Sequence, residues 1–210
     1  MWTSPYVLSC FVGLTEKRLA FDVQTVALHE GAQWAAAYVE TSFTARVPAL
    51  VDGDFSLSES SAIIEYLEDK WPAPEHARLL PQDVRQRARA RQIMAWVRSD
   101  LGSIREERSS EYVFYPLAAL PPLAPLSAAA RHAVEKLVGF CERLVPADGG
   151  ALFGDWCIAD TDLAMMLQRL VKTGESLPAR LRAFAEREWQ RPSVQAFVDQ
   201  PRPPHRPAQT

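Results

Sequence analysis

Apolar positions fall along this chain with two different rhythms. Near the N-terminus Tyr6, Val7, Cys10, Phe11 and Leu14 recur at helical spacing behind Ser4-Pro5. Serine is a favoured N-cap, and proline fits the first helical position because its missing N–H has no partner there. A helix running to about Lys17 is predicted. Phe21-Asp22-Val23-Gln24-Thr25-Val26 alternates apolar and polar residues, which predicts a strand over 21–28. A short helix around Gln33–Val39 follows. Val47–Val51 and Phe55–Leu57 flank Asp52-Gly53-Asp54, a turn whose glycine can take positive φ, so a β-hairpin is predicted. Ser58-Glu59-Ser60-Ser61 then opens a helix carrying Ile63, Ile64, Tyr66 and Leu67, which ends before Pro72.

Beyond that point the alternating signal stops. Residues 72–82 carry Pro72, Pro74 and Pro81 and read as a linker. Val84 to about Glu111 is predicted as one long Arg-rich helix, with Ile93, Trp96, Val97, Leu101 and Ile104 as its buried stripe. A Pro-rich connection over 116–126 leads to helices at Ser127–Leu144, Cys157–Lys172, Pro178–Trp189 and Pro192–Val198. The tail 201–210 is expected to be disordered. The organisation is therefore α/β over 1–71, a linker at 72–82, and all-α over 83–200, with no internal repeat.

Composition narrows the function classes. A length of 210 residues allows a real core, and 48% apolar with 23% charged residues is ordinary for a globular protein. The net charge is −3 without a basic block, so no nucleic-acid partner is expected, since phosphate binding needs clustered Lys and Arg. Cys10, Cys141 and Cys157 are scattered and odd in number, without metal-ligand spacing, so no metal site is expected and a reducing compartment suits them. The segment 113–130 is interrupted by Pro116, Pro121, Pro122 and Pro125, so no membrane span is expected. With no charged leader at MWTSPYVLSC, a cytoplasmic location is expected.

Three features carry candidate chemistry. Val47-Pro48 precedes a strand, where proline's missing donor is tolerated. One hairpin later, Glu59-Ser60 opens a helix whose free N–H groups and positive dipole end suit an anion, although such a pair can equally be a plain cap. Ser4 stands at the first helix start, where it is either an N-cap or a hydroxyl donor to a ligand, with Tyr6 as the alternative donor. Cys10 lies inside the same helix on the apolar stripe and is a poor nucleophile candidate.

VPALVDGDFSLSESSAIIEYL, followed in the helical half by Cys157-Ile158-Ala159-Asp160, resembles the soluble glutathione transferases over residues 4–198, nearest a bacterial type with Ser-Pro-Tyr at the first helix. The resemblance implies a thioredoxin-like N-terminal domain, an all-α C-terminal domain, glutathione as co-substrate and a homodimer. It implies a cis Val47-Pro48 bond that leaves the Val47 backbone to pair with the glutathione cysteine. Ser60 would bind the γ-glutamyl carboxylate and Glu59 the ammonium. Arg46 would reach a glutathione carboxylate, unless it is an ordinary solvated arginine, and Asp100 would reach a partner subunit's glutathione, unless it is a rim salt bridge. Ser4 would donate to the glutathione sulfur. That step matters because the thiolate is the nucleophile, and a free thiol, with a reference pKa of about 8.5, is mostly protonated near pH 7. Asp160 would close a capping box with Cys157 in place of the usual Ser or Thr. The implied activity is conjugation of glutathione to small apolar electrophiles bound between the domains, or reduction of hydroperoxides. The alternative is a non-catalytic binding or regulatory protein on the same scaffold. A disulfide oxidoreductase is disfavoured, since no cysteine stands where Ser4 does. In one respect the chain departs from the family. Only Met1-Trp2-Thr3 precede Ser4, so the family's first strand and its loop, on the order of ten residues, are expected to be missing and activity to suffer.

Overall fold

The computed structural model describes residues 2–205. Helix α1 spans Pro5–Glu16; it begins at Ser4, whose hydroxyl accepts from Val7 N, and has proline in the first turn. Its closest neighbour is α3, Ser60–Lys70. A Cβ added to Gly13 would stand 2.7 Å from Ile64 Cδ1 and 3.2 Å from Leu79 Cδ1, so a larger residue there would have to push the Ile64 side-chain end aside. Between them lie a short helix α2, Ala36–Thr41, and a hairpin of β1, Ala49–Asp52, and β2, Phe55–Ser58. The strands pair antiparallel from Ala49↔Ser58 to Asp52↔Phe55, and Gly53 turns the chain at φ 64°.

The predicted strand over 21–28 does not form. Residues 18–27 run as irregular chain with Asp22, Val23, Gln24 and Thr25 exposed, and among the described residues the sheet is β1 and β2 alone. Alternation marks a strand only where a neighbour completes the ladder, and no described segment offers one to Phe21–Val26. The short helix predicted around Gln33–Val39 is split into a 3₁₀ turn at Ala32–Trp34 and α2.

The helical half comprises α4 (Val84–Ser99), α5 (Gly102–Glu107), α6 (Glu111–Phe114), α7 (Ala128–Leu144), α8 (Ile158–Lys172), α9 (Ala179–Trp189) and α10 (Pro192–Val198). The single helix expected over 84–111 is thus three. Leu101 takes φ 61°, ψ 30° and stops the first of them, while Asp100 Oδ1 accepts from Leu101 N at 2.7 Å. Of the predicted stripe, Ile93, Val97, Leu101 and Ile104 are buried and Trp96 is half-buried, because the break re-aims the chain without turning that stripe to solvent. Asp100 also accepts from Trp96 Nε1 and pairs with Lys136, which, with the bond from Leu101 N, holds its pKa near 2. It is a rim salt bridge, the plain reading of that residue. The beginning of the tail is held: Arg202 donates to Trp2 O at 2.8 Å, and Tyr115 donates to Pro203 O at 3.0 Å. The rest of the predicted disordered tail, 206–210, lies outside the described residues.

Helix α8 is the centre of the molecule, buried along most of its length and packed on α1, α4, α6 and α9. Its start is set by Asp160, which accepts from Cys157 N at 2.9 Å and Leu152 N at 2.8 Å, as a capping box requires. Nearby Glu188 accepts from Trp156 Nε1 and Thr161 Oγ1, and burial, reinforced by the Asp160 charge, raises its pKa from 4.5 to about 7. A carboxyl with a raised folded pKa gives full stability below its unfolded pKa, and that stability is lost as pH rises through the folded value. Glu188→Gln keeps an acceptor and removes the titration. The variant is expected to match wild type near pH 4.5 and to exceed it at pH 8 by on the order of 2–3 kcal/mol, read from urea midpoints. An unchanged pH dependence in the variant would assign the titration elsewhere.

Candidate functional site

The hairpin sets the first part of the site. Val47-Pro48 is cis and leads directly into β1. Because Ala49 pairs with Ser58, the residues on either side of this end of the hairpin, Pro48 and Glu59, stand across from one another. The Val47 backbone makes no hydrogen bond among the described residues, leaving its N–H and C=O open to an extended ligand. A second cis bond, Ala73-Pro74, lies in the linker.

Glu59 is the hinge from strand to helix. It adopts φ 72°, ψ 114°, a region a non-glycine residue enters only when its surroundings hold it there, and such strain clusters at ligand sites. Its side chain is exposed, and no side chain caps α3. The first-turn N–H groups of α3 are therefore free for an anion. Ser60 is buried under them, and its hydroxyl accepts from Arg98 Nε at 3.3 Å. Ser60 O lies 3.8 Å from Cys10 Sγ, which joins the start of α3 to α1. Burial pushes the Cys10 thiol pKa up, so this cysteine is a packing group and not a nucleophile.

Ser4 is part-buried, and its hydroxyl accepts from Val7 N at 3.4 Å, a long bond that leaves the hydroxyl proton to donate elsewhere. Arg46 is not drawn into this group. Its backbone is fixed by Tyr38 and Ser42, but its side chain is exposed and makes no ion pair among the described residues.

Beside Ser4 a cavity opens between α1 and the helical half. Pro5 and Tyr6 form one side, and Val97, Met165 and Met166 give an apolar wall. Arg98, Arg105, Asp162 and Arg169 supply its charges, none of which the sequence reading singled out. Arg98 joins the two parts of the site: it lies 2.7 Å from Asp162 and donates to Ser60 and, at 3.4 Å, to Ser9. The sequence signal for Arg98 is the arginine richness of 85–98, residues that the predicted buried stripe leaves out.

Comparison with known proteins gives this geometry a context. A family model described as glutathione S-transferase, N-terminal domain, matches residues 1–75, and one described as glutathione S-transferase, C-terminal domain, matches 83–201. A glutathione transferase homolog from Burkholderia, solved with bound glutathione, is 43% identical, covers 94% of this chain and 91% of its own, and superposes with a TM-score of 0.76. The theta class glutathione S-transferase of Xanthomonas axonopodis, also solved with glutathione, is 25% identical over 95% of each chain with a TM-score of 0.75. Mouse glutathione S-transferase theta-3 is 35% identical over 107 residues, 51% of this chain and 44% of that protein, so the match spans less than half the length of this relative. With family models matched along both its α/β and its helical parts, the chain belongs to the glutathione S-transferase family.

Proposed function

We propose that this protein is a glutathione transferase that conjugates glutathione to small electrophiles. The observation that carries the reading is the join of an uncapped α3 N-terminus, strained Glu59 and buried Ser60 to the cis Val47-Pro48 end of the hairpin. In this reading glutathione lies extended along Val47, with its γ-glutamyl carboxylate on the N–H groups and hydroxyl at Ser60 and its ammonium at Glu59. The cysteine sulfur then faces the start of α1, where the Ser4 hydroxyl donates to it. Donation to a charged form favours that form, so the thiol ionises near neutral pH. The thiolate attacks the electrophile, whose apolar body rests on Val97, Met165 and Met166. The same thiolate suits hydroperoxide reduction, in which two glutathiones supply two electrons and leave as the disulfide while the hydroperoxide yields an alcohol and water. The protein is expected to act in the cytoplasm as a homodimer; its three cysteines are free thiols, consistent with a reducing setting.

Ser4→Ala tests the chemical step. The variant should raise the pKa of bound glutathione and slow conjugation near neutral pH, with glutathione affinity largely kept. Thiolate absorbance against pH, measured with the conjugation rate, reads both. Identical profiles for variant and wild type would move thiol activation to Tyr6 or to backbone amides.

A further inference from the structure

The cavity beside Ser4 carries more positive charge than its own residues neutralise. Three guanidinium groups line it, those of Arg98, Arg105 and Arg169, against one carboxylate, Asp162. Asp162 lies 2.7 Å from Arg98, close enough for charge pairing, although its buried Oδ2 accepts no well-aligned hydrogen bond. Arg105 and Arg169 pair with no carboxylate among the described residues. Arg105 donates only to the carbonyls of Val97 and Asp100, and Arg169 only to that of Arg108. Arg169 is 4% exposed, and its Nε has no hydrogen-bond partner. A buried guanidinium without a counter-charge is costly, and polar atoms buried in folded proteins are rarely left unpaired. Burial and the neighbouring Arg105 charge lower the Arg169 pKa to about 10, which leaves it charged at neutral pH. The same cavity has an apolar wall of Val97, Met165 and Met166, so its lining combines a surface for a hydrocarbon body with two guanidinium groups, a donor type suited to a planar anion.

We propose that the second substrate is an anionic electrophile, a small molecule with an apolar body and a carboxylate, and that Arg105 and Arg169 receive the carboxylate. The proposal rests on the glutathione transferase reading and adds the substrate class. The carboxylate supplies the missing counter-charge, and the arginines orient the reacting carbon toward the sulfur held near Ser4. A neutral electrophile of the same shape leaves buried Arg169 and part-buried Arg105 without a counter-charge.

A matched pair of probes tests this: 4-chloro-3,5-dinitrobenzoate and its methyl ester. In both, the glutathione thiolate forms the carbon–sulfur bond, chloride leaves with the bonding electron pair, and the thiol proton passes to solvent. Wild type should prefer the carboxylate over the ester by tenfold or more in kcat/KM, after correction for their uncatalysed rates. Arg105→Met and Arg169→Met should each lower that ratio at least tenfold, and raised salt should lower it in wild type. Arg105 is only part-buried, so its variant decides the matter if Arg169→Met does not fold in thermal melts. Calorimetry with the benzoate probe and without glutathione separates this idea from the activity itself. If neither probe is conjugated, the transferase reading fails, and selective binding of the benzoate, lost in Arg105→Met, still supports an anion site. Equal binding or equal rates for the two probes would overturn the proposal. So would a loss of glutathione affinity in the arginine variants as large as the loss for the benzoate, which would give the arginines to glutathione instead.

Discussion

Lys17→Met is expected to lower stability by about 3–5 kcal/mol, the range for leaving one partner of a buried ion pair uncompensated. The Lys17 side chain is fully buried, and its ammonium spends its three donors on Glu68 Oε2 at 2.9 Å, Trp71 O at 2.8 Å and Ala77 O at 2.9 Å. It ties the end of α1 to the end of α3 and to the linker. Those two helices carry Ser4 and Ser60 at their starts, so the clamp holds the two halves of the proposed glutathione site in register. Glu68 also accepts from Leu79 N at 2.9 Å, which Glu68→Gln can preserve. The double variant Lys17→Met/Glu68→Gln should therefore recover part of the loss, because no isolated charge remains. Urea midpoints at fixed pH measure both. A loss below about 1 kcal/mol for Lys17→Met, the value of an exposed pair, would show that the ammonium is not the clamp.

Asp160→Ala should cost on the order of 2–5 kcal/mol, since it strips the acceptor from two buried N–H groups, each worth about 1–3 kcal/mol when left unpaired. Asp160→Asn retains an acceptor and should cost less. The consequence reaches the cavity, because the helix that Asp160 starts carries Asp162, Met165, Met166 and Arg169. The alanine variant should lose conjugation activity at temperatures well below those that inactivate wild type. Chemical denaturation of the two variants side by side gives the ranking, and equal stability of Ala and wild type would reduce Asp160 to an ordinary first-turn acid.

Much of this architecture was legible in the sequence because its signals are local. Ser4-Pro5, Asp52-Gly53-Asp54 and Cys157-Ile158-Ala159-Asp160 each specify a cap or turn from adjacent residues, and the structure places α1, the hairpin and α8 at those points. Val47-Pro48 is cis, as the resemblance implies and X-Pro preference alone does not, since that preference favours trans. Failures came where the deciding information is not local. Phe21–Val26 has the alternation of a strand, but a strand exists only in a ladder with a partner elsewhere in the chain. The break at Leu101 was hidden by a continuous apolar stripe, although Asp100 and Gly102 on either side carry turn chemistry that marks it. Arg98, Arg105 and Arg169 are invisible as a group because they come from three separate helices and meet only at the lining of one cavity. The segment around Val47 and the Glu59-Ser60 pair are legible as neighbours for the opposite reason: a single hairpin brings them together.

Glutathione titrated calorimetrically into wild type and into Ser60→Ala tests the proposed site most directly. Wild type should bind, and Ser60→Ala should weaken binding by roughly 1–3 kcal/mol, the cost of losing a hydrogen bond to a charged group. No binding by wild type, or the same affinity in both proteins, would contradict the placement of the γ-glutamyl carboxylate at the start of α3.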